Sequence, residues 1–138
     1  MDEQREPFVL FVVEDDPDDR LFLSFELQGS GVEKQVLFYS DVREMVDDIR
    51  SQGETAGPSS YPLPSLILLS TFTQKSSFRE AYALIKNVDA LQAVPLVLML
   101  GSKWEEEYWR SQNYEAAGFL LKPVTFRRLK KFIGQVKP

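Results

Sequence analysis

Leu66-Ile67-Leu68-Leu69 is an unbroken aliphatic run, entered through Ser65 and left abruptly at Ser70-Thr71. A stretch this short and this uniformly apolar has no polar face to turn to water, so it reads as a strand covered on both sides in a parallel sheet. Parallel neighbours need crossover connections, usually helical and right-handed, which commits the rest of the chain to alternating helices and strands. In open sheets of this kind, ligands and reactive groups gather just beyond the carboxyl ends of the strands. Ser70 stands at such an end.

The remaining sequence supplies what that strand requires. Phe8 to Val13 is a first apolar strand, ending in Glu14-Asp15-Asp16-Pro17-Asp18-Asp19. Asp16 suits a helix cap, Pro17 the first helical position, and Asp18 and Asp19 the positive end of the helix. Leu21, Phe22, Phe25 and Leu27 give this helix an apolar stripe, and Gly29-Ser30-Gly31 stops it. Gln35 to Tyr39 is a second strand. A helix from Ser40 or Asp41 turns Met45, Val46 and Ile49 inward and is expected to stop near Gly53. Gly53 to Pro64, rich in Gly, Pro and Ser, reads as a long mobile loop.

After the buried run, Phe78 to Asn87 is a helix with Ala81, Tyr82 and Ile85 on one face. Leu96 to Leu100 is a strand opened by Pro95. Ser102-Lys103-Trp104-Glu105 has capping-box spacing, and a helix continues to about Tyr114. Ala116 to Leu121 is the last strand, closed by Lys122-Pro123. Thr125 caps a helix with Phe126, Leu129, Phe132 and Ile133 on one side and Arg127, Arg128, Lys130 and Lys131 on the other. Strand and helix thus alternate five times. The pattern predicts an α/β fold: a five-stranded parallel sheet in a flavodoxin-like, doubly wound order 2-1-3-4-5, with helices on both faces. Residues 1–138 are expected to form a single domain with a core over about 8–136.

Composition narrows the chemistry. With neither cysteine nor histidine, the chain lacks thiolate chemistry, disulfides, the usual zinc ligands and the commonest general base. A net charge of -5 gives no general attraction to nucleic acid or anionic lipid. Met1 to Pro7 is polar and acidic, unlike a signal peptide, and no apolar run approaches the roughly 18 residues of a membrane span. A cytoplasmic protein is expected.

Three features converge on the carboxyl edge of the sheet: Glu14-Asp15 after strand one, Ser70 after strand three and Lys122-Pro123 after strand five. In this order and spacing the chain resembles, over roughly Phe8 to Val136, the receiver domain of two-component response regulators, particularly the stand-alone receivers. The resemblance implies a phosphorelay signalling module rather than an enzyme. In that family two acidic residues after strand one hold a divalent cation, a hard ion that takes oxygen ligands. An aspartate after strand three accepts a phosphoryl group, a lysine after strand five pairs with it, and a Thr or Ser after strand four turns toward it. An aromatic residue on strand five follows that turn. Glu14 and Asp15 match the acidic pair, Lys122 the lysine and Phe119 the aromatic.

Four positions depart from this pattern. Ser70 occupies the acceptor position and Leu100 the switch position, and Gln74 and Phe78 replace the usual Pro and Gly of the following loop. A serine hydroxyl needs a base to become a nucleophile, whereas a carboxylate is already ionised and also binds metal. The expectation is therefore a pseudo-receiver that takes no phosphate. Glu14 and Asp15 would be a remnant Mg2+ pocket, occupied or vacant, and Lys122 a counter-ion to them. Ser70 would be a locally bonded polar filler, with Leu100 closing the pocket by apolar bulk. Asp16, Asp18 and Asp19 are read as cap and solvated loop.

Function then moves to the surface. Trp104, Tyr108 and Trp109 put three large aromatics on one short helix, more than one packed face requires, and such residues favour partner contacts. The resemblance implies that the fourth helix, fifth strand and fifth helix meet a sensor kinase, another signalling protein or a second copy. Two alternatives differ in class. One is a working receiver phosphorylated at a non-standard residue. The other is a haloacid-dehalogenase-like phosphatase using Asp16-Pro17-Asp18 and Ser70, although that acidic pair lies past the strand. A flavin-binding reading fails on charge, since carboxylates after strand one repel phosphate.

Overall fold

The structure, a computed structural model, describes residues 8–32, 35–56 and 63–136. Strands and helices alternate as β1 (Leu10–Val13), α1 (Pro17–Leu27), β2 (Val36–Tyr39), α2 (Val42–Ala56), β3 (Leu66–Ser70), α3 (Phe78–Lys86), β4 (Leu96–Leu100), α4 (Lys103–Ser111), β5 (Gly118–Leu121) and α5 (Phe126–Val136). A 3-10 turn at Asp89–Leu91, unmarked in the sequence pattern, precedes β4. All strand pairings are parallel and the order is β2-β1-β3-β4-β5, the doubly wound arrangement expected from the sequence.

The aliphatic run is the centre of this sheet. Every residue of β3 is buried, between β1 on one side and β4 on the other. Alternation divides its side chains between two layers. Ile67 and Leu69 join Phe11, Val13, Leu98 and Leu100 beneath α2 and α3. Leu66 and Leu68 join Leu10, Val12, Val97 and Met99 beneath α1 and α5. Val13 is level with Tyr39 and Leu69, and Ser70 with Met99, so the loops that follow all leave from one edge of the sheet.

Local chemistry explains most boundaries. Asp16 caps α1 by accepting from the N–H groups of Asp18 and Asp19, with Pro17 in the first turn. Beyond α1, Gly29 and Gly31 adopt positive φ of 78° and 90°, which glycine enters without a Cβ penalty. Asp41 accepts from the Glu44 N–H at the start of α2, and Val42, Met45, Val46 and Ile49 are buried below it. In α5, Leu129, Phe132 and Ile133 face the sheet, while Arg127, Arg128, Lys130 and Lys131 are exposed.

Several expectations are corrected. The buried face of α1 is Leu23 and Leu27, one turn apart, whereas Leu21 is 58% and Phe25 64% exposed and Phe22 sits at the margin. Near the start of the helix the Arg20 guanidinium donates to the Glu14 carbonyl and lies over the Phe38 ring. Next, α2 runs past Gly53 to Ala56, because one glycine costs a helix only about 1 kcal/mol. Residues 57–62 of the expected loop lie outside the described residues. Finally, α4 ends at Ser111 instead of near Tyr114, as Asn113 takes a positive φ of 62°, and β5 begins at Gly118.

Candidate functional site

The loops after β1 and β3 and the end of β5 enclose an open cleft of about 410 Å³, lined among others by Glu14, Asp15, Asp19, Phe72, Gln74 and Lys122. Its floor is an ion cluster. Glu14, only 2% exposed, is held by its main chain, whose N–H donates to the Tyr39 carbonyl. Lys122 arrives from the opposite side after β5, with its N–H bonded to the Leu100 carbonyl at 2.8 Å. Its ammonium lies 2.5 Å from Glu14 Oε1, 3.1 Å from Asp19 Oδ2 and 3.0 Å from Ser70 Oγ. Two of the three N–H donors of the ammonium are used by Asp19 and Ser70. Glu14 Oε1 is held as a close charge pair and has no hydrogen-bond partner of its own. Burial opposes the charge on Lys122. The close contacts and negative charge of Glu14 and Asp19 outweigh it and hold the lysine pKa above its ordinary value.

Ser70 is 2% exposed and bonded on both sides. Its hydroxyl donates to the Phe72 carbonyl at 3.0 Å and accepts from Lys122. Asp15 faces the other wall, where Oδ2 accepts from the Gln74 N–H at 2.7 Å and ties the loop after β1 to the loop after β3. Glu14, Asp15, Ser70 and Lys122 are therefore brought together. Asp19 joins them, although the sequence places it in an ordinary helix cap. Its signal would have been a helix position one turn in from the strand end, facing the carboxyl edge. Asp16 and Asp18 remain with the cap at the exposed start of α1.

Leu100 is 1% exposed and packed in the layer beneath α2 and α3, and it is not a wall of the cleft. The expectation that it closes the pocket is thus corrected. Its side chain follows the strand alternation away from Ser70 and Lys122. Phe119 is half-buried on the same layer, with the Arg110 guanidinium 4.6 Å from its ring centre. Trp109 is half-buried, with its ring 4.5 Å from Phe78 and 5.7 Å from Tyr114. Tyr108 is 40% exposed and accepts from Arg79 at 3.4 Å, while Trp104 is 69% exposed. Of the three aromatics on α4, Trp104 has the freest ring.

Whether these donors fit a divalent cation can be judged from their bonds. Such an ion wants about six oxygen ligands, several of them anionic. Here Glu14 is committed to Lys122 and to the Asp16 N–H, Asp15 to the Gln74 N–H, and the Phe72 carbonyl to Ser70. Among the described residues no group of three His, Cys, Asp or Glu side chains is placed to hold a metal ion. As arranged, the cluster fits an ammonium and does not fit a divalent cation.

A parallel 2-1-3-4-5 sheet with an acidic pair after β1 and a Lys-Pro after β5, joined at its carboxyl edge, is the arrangement of the response-regulator receiver domains to which this chain is similar. Known proteins similar to this chain agree. Response regulator Rcp1 of Synechocystis sp. is 27% identical over 136 residues, covering 99% of this chain and 90% of that protein. Its Mn2+-bound structure matches with a TM-score of 0.66 at 26% identity, covering 94% of this chain and 91% of that one. The probable methanogenesis regulatory protein FilR2 of Methanothrix harundinacea is 25% identical over 135 residues, covering 98% of this chain and 84% of that protein. The bacteriophytochrome response regulator AtBRR matches with a TM-score of 0.78 at 26% identity, over 95% of this chain and 93% of that one. No family model matches the chain. Among the described residues no helix is long and apolar enough to cross a membrane.

Proposed function

We propose that this receiver is a cytoplasmic, non-enzymatic signalling module that works by protein contact and takes no phosphoryl group at Ser70. The observation that carries this reading is the bonding of Ser70 itself. The hydroxyl is neutral, donates its proton to the Phe72 carbonyl and accepts from a lysine. A lysine ammonium is a donor and cannot take the hydroxyl proton, and no histidine exists in the chain to do so. Two of the carboxylates of the cleft, Glu14 and Asp19, are paired with that same lysine, and Asp15 accepts from the Gln74 N–H. Lys122 is already held by the charges of Glu14 and Asp19 and by its bond to Ser70, and a phosphate oxygen would have to compete with them. Mg2+ faces the same obstacle, because it would have to displace the ammonium from Glu14.

The contact surface in this reading is the face formed by α4, β5 and α5, with Trp104 as its exposed aromatic, while Tyr108 and Trp109 of the same helix are engaged on the α3 side by Arg79 and Phe78. A sensor kinase, another signalling protein or a second copy of the chain is the class of partner. Incubation with acetyl phosphate and Mg2+, followed by intact-mass measurement, tests the reading. The chain should remain unmodified. A stoichiometric phosphate adduct would overturn it in favour of a working receiver with a non-standard acceptor.

A further inference from the structure

The carboxylate of Glu105 gathers donors from three segments of the chain. Its Oε2 accepts from the N–H groups of Gly101 at 2.8 Å and Ser102 at 3.2 Å, at the junction of β4 and α4. Its Oε1 accepts from the Trp109 indole N–H at 3.4 Å and from the Thr71 hydroxyl at 2.8 Å, the shorter of two contacts open to that one proton, the other being the Met99 carbonyl at 3.3 Å. An ionised carboxylate offers about four lone-pair sites and no donors, so this one is fully used. Hydrogen bonds to an ionised acceptor are also about twice as strong as neutral ones.

An ordinary helix cap would account for the Gly101 and Ser102 bonds alone. The α3 cap is the internal comparison. There Glu80 takes the Ser77 N–H and hydroxyl, and its remaining partner is an exposed ion pair with Arg43. Glu105 differs because Thr71 lies 34 residues earlier, immediately after Ser70. Thr71 is itself anchored across the sheet edge, its N–H bonded to the Met99 carbonyl at 3.1 Å. Trp109, the fourth donor, packs against Phe78 of α3. One negative charge therefore joins the end of β3, the start of α4 and, through Trp109, the α3 side of the core.

We propose that Glu105 is a built-in anion clamp that fixes α4 to the loop after β3, so that α4 keeps one arrangement with no phosphoryl group added. A hydroxyl at position 100 is then unnecessary, which fits the buried Leu100. The functional half of this inference rests on the reading that the α4 face meets a partner without phosphate; the clamp itself does not.

Amide hydrogen exchange on the full chain separates the two. T71V removes the bridging hydroxyl and keeps the side-chain shape. It should speed exchange at Gly101, Ser102 and the first turn of α4 about fivefold, the change expected for one net hydrogen bond. E105Q should loosen the same amides and those after Ser70, whereas E80Q should affect only the start of α3. Unchanged exchange at Gly101 and Ser102 in T71V would overturn the clamp and leave Glu105 a plain cap. If E105Q does not fold, T71V alone decides. Wild-type chain with beryllofluoride and Mg2+ should show no added protection over 101–111. Added protection there would overturn the phosphate-free reading and the claim that the clamp acts in its place.

Discussion

Lys122 Nζ donates to Ser70 Oγ across 3.0 Å, joining the end of β5 to the end of β3 through side chains 52 residues apart. A neutral hydroxyl accepts this bond without balancing the charge. The balance comes from Glu14 and from Asp19, which α1 contributes. The cluster is thus electrostatically closed on the α1 side, and the lysine serves as an internal cation among acids.

Removing that cation strands Glu14. K122M should destabilise the fold by about 3 kcal/mol, the lower end for breaking a buried pair, because Asp19 is partly exposed and can rehydrate. E14Q/K122M should recover much of the loss by removing the orphaned charge. Urea unfolding with an unchanged m-value is the measurement, and additive single losses would show that the two residues are not coupled.

The same pair sets an alkaline limit. The folded state holds the Lys122 proton to higher pH than the unfolded chain does, since Glu14 and Asp19 raise its pKa. The stabilisation is therefore complete below the ordinary lysine value of about 10.4, and stability falls as pH rises from there through the folded pKa. The stability difference between wild type and K122M should be constant from neutral pH to about 9 and narrow above about 10.4. A difference that instead grows with alkalinity would contradict the pairing.

Gly118 allows the close approach of α5 to β5. A Cβ added there would lie 2.5 Å from Cε1 and Cζ of the Phe132 ring. G118A should cost about 1–3 kcal/mol by overpacking. F132L should relieve part of it, so the double variant should be less destabilised than the sum of the two single ones.

The uniformly apolar strands were legible because a run such as Leu66–Leu69 has only one stable place, between two helical layers. The acid, serine and lysine positions followed, since parallel topology sends strand ends to one edge. The orientation of α1 was not legible. Of the stripe Leu21, Phe22, Phe25 and Leu27 only Leu27 is buried, and it packs with Leu23, one turn earlier, which the stripe passed over. Asp19, Thr71 and Glu105 were hidden as well. Each has an ordinary local reading, as helix cap, turn residue and capping-box partner, and acquires its other contacts only when distant loops meet.

That orientation of α1 separates neighbouring residues sharply. L23A empties a fully packed position beneath the helix and should cost about 2–5 kcal/mol. L21S and F25S remove exposed side chains and should stay within about 0.5 kcal/mol of wild type. Large losses for both outward residues would restore the stripe read from the sequence.

Restoring a carboxylate at the end of β3 should change what the cleft binds. In S70D the new charge would stand beside Lys122, with Glu14 and Asp15 already lining the cleft. With Asp19 already paired to the lysine, four carboxylates would share one ammonium, and a hard divalent cation is the natural way to balance the excess negative charge. Mn2+ should therefore bind S70D and raise its stability by about 2.7 kcal/mol at a hundredfold excess over Kd. The wild type, whose donors are occupied by Lys122, Gln74 and Ser70, should show no such shift. Electron paramagnetic resonance of free Mn2+ during titration, alongside thermal unfolding, reads both chains. Equal binding to the two would mean that Ser70 is not what closes the site to metal.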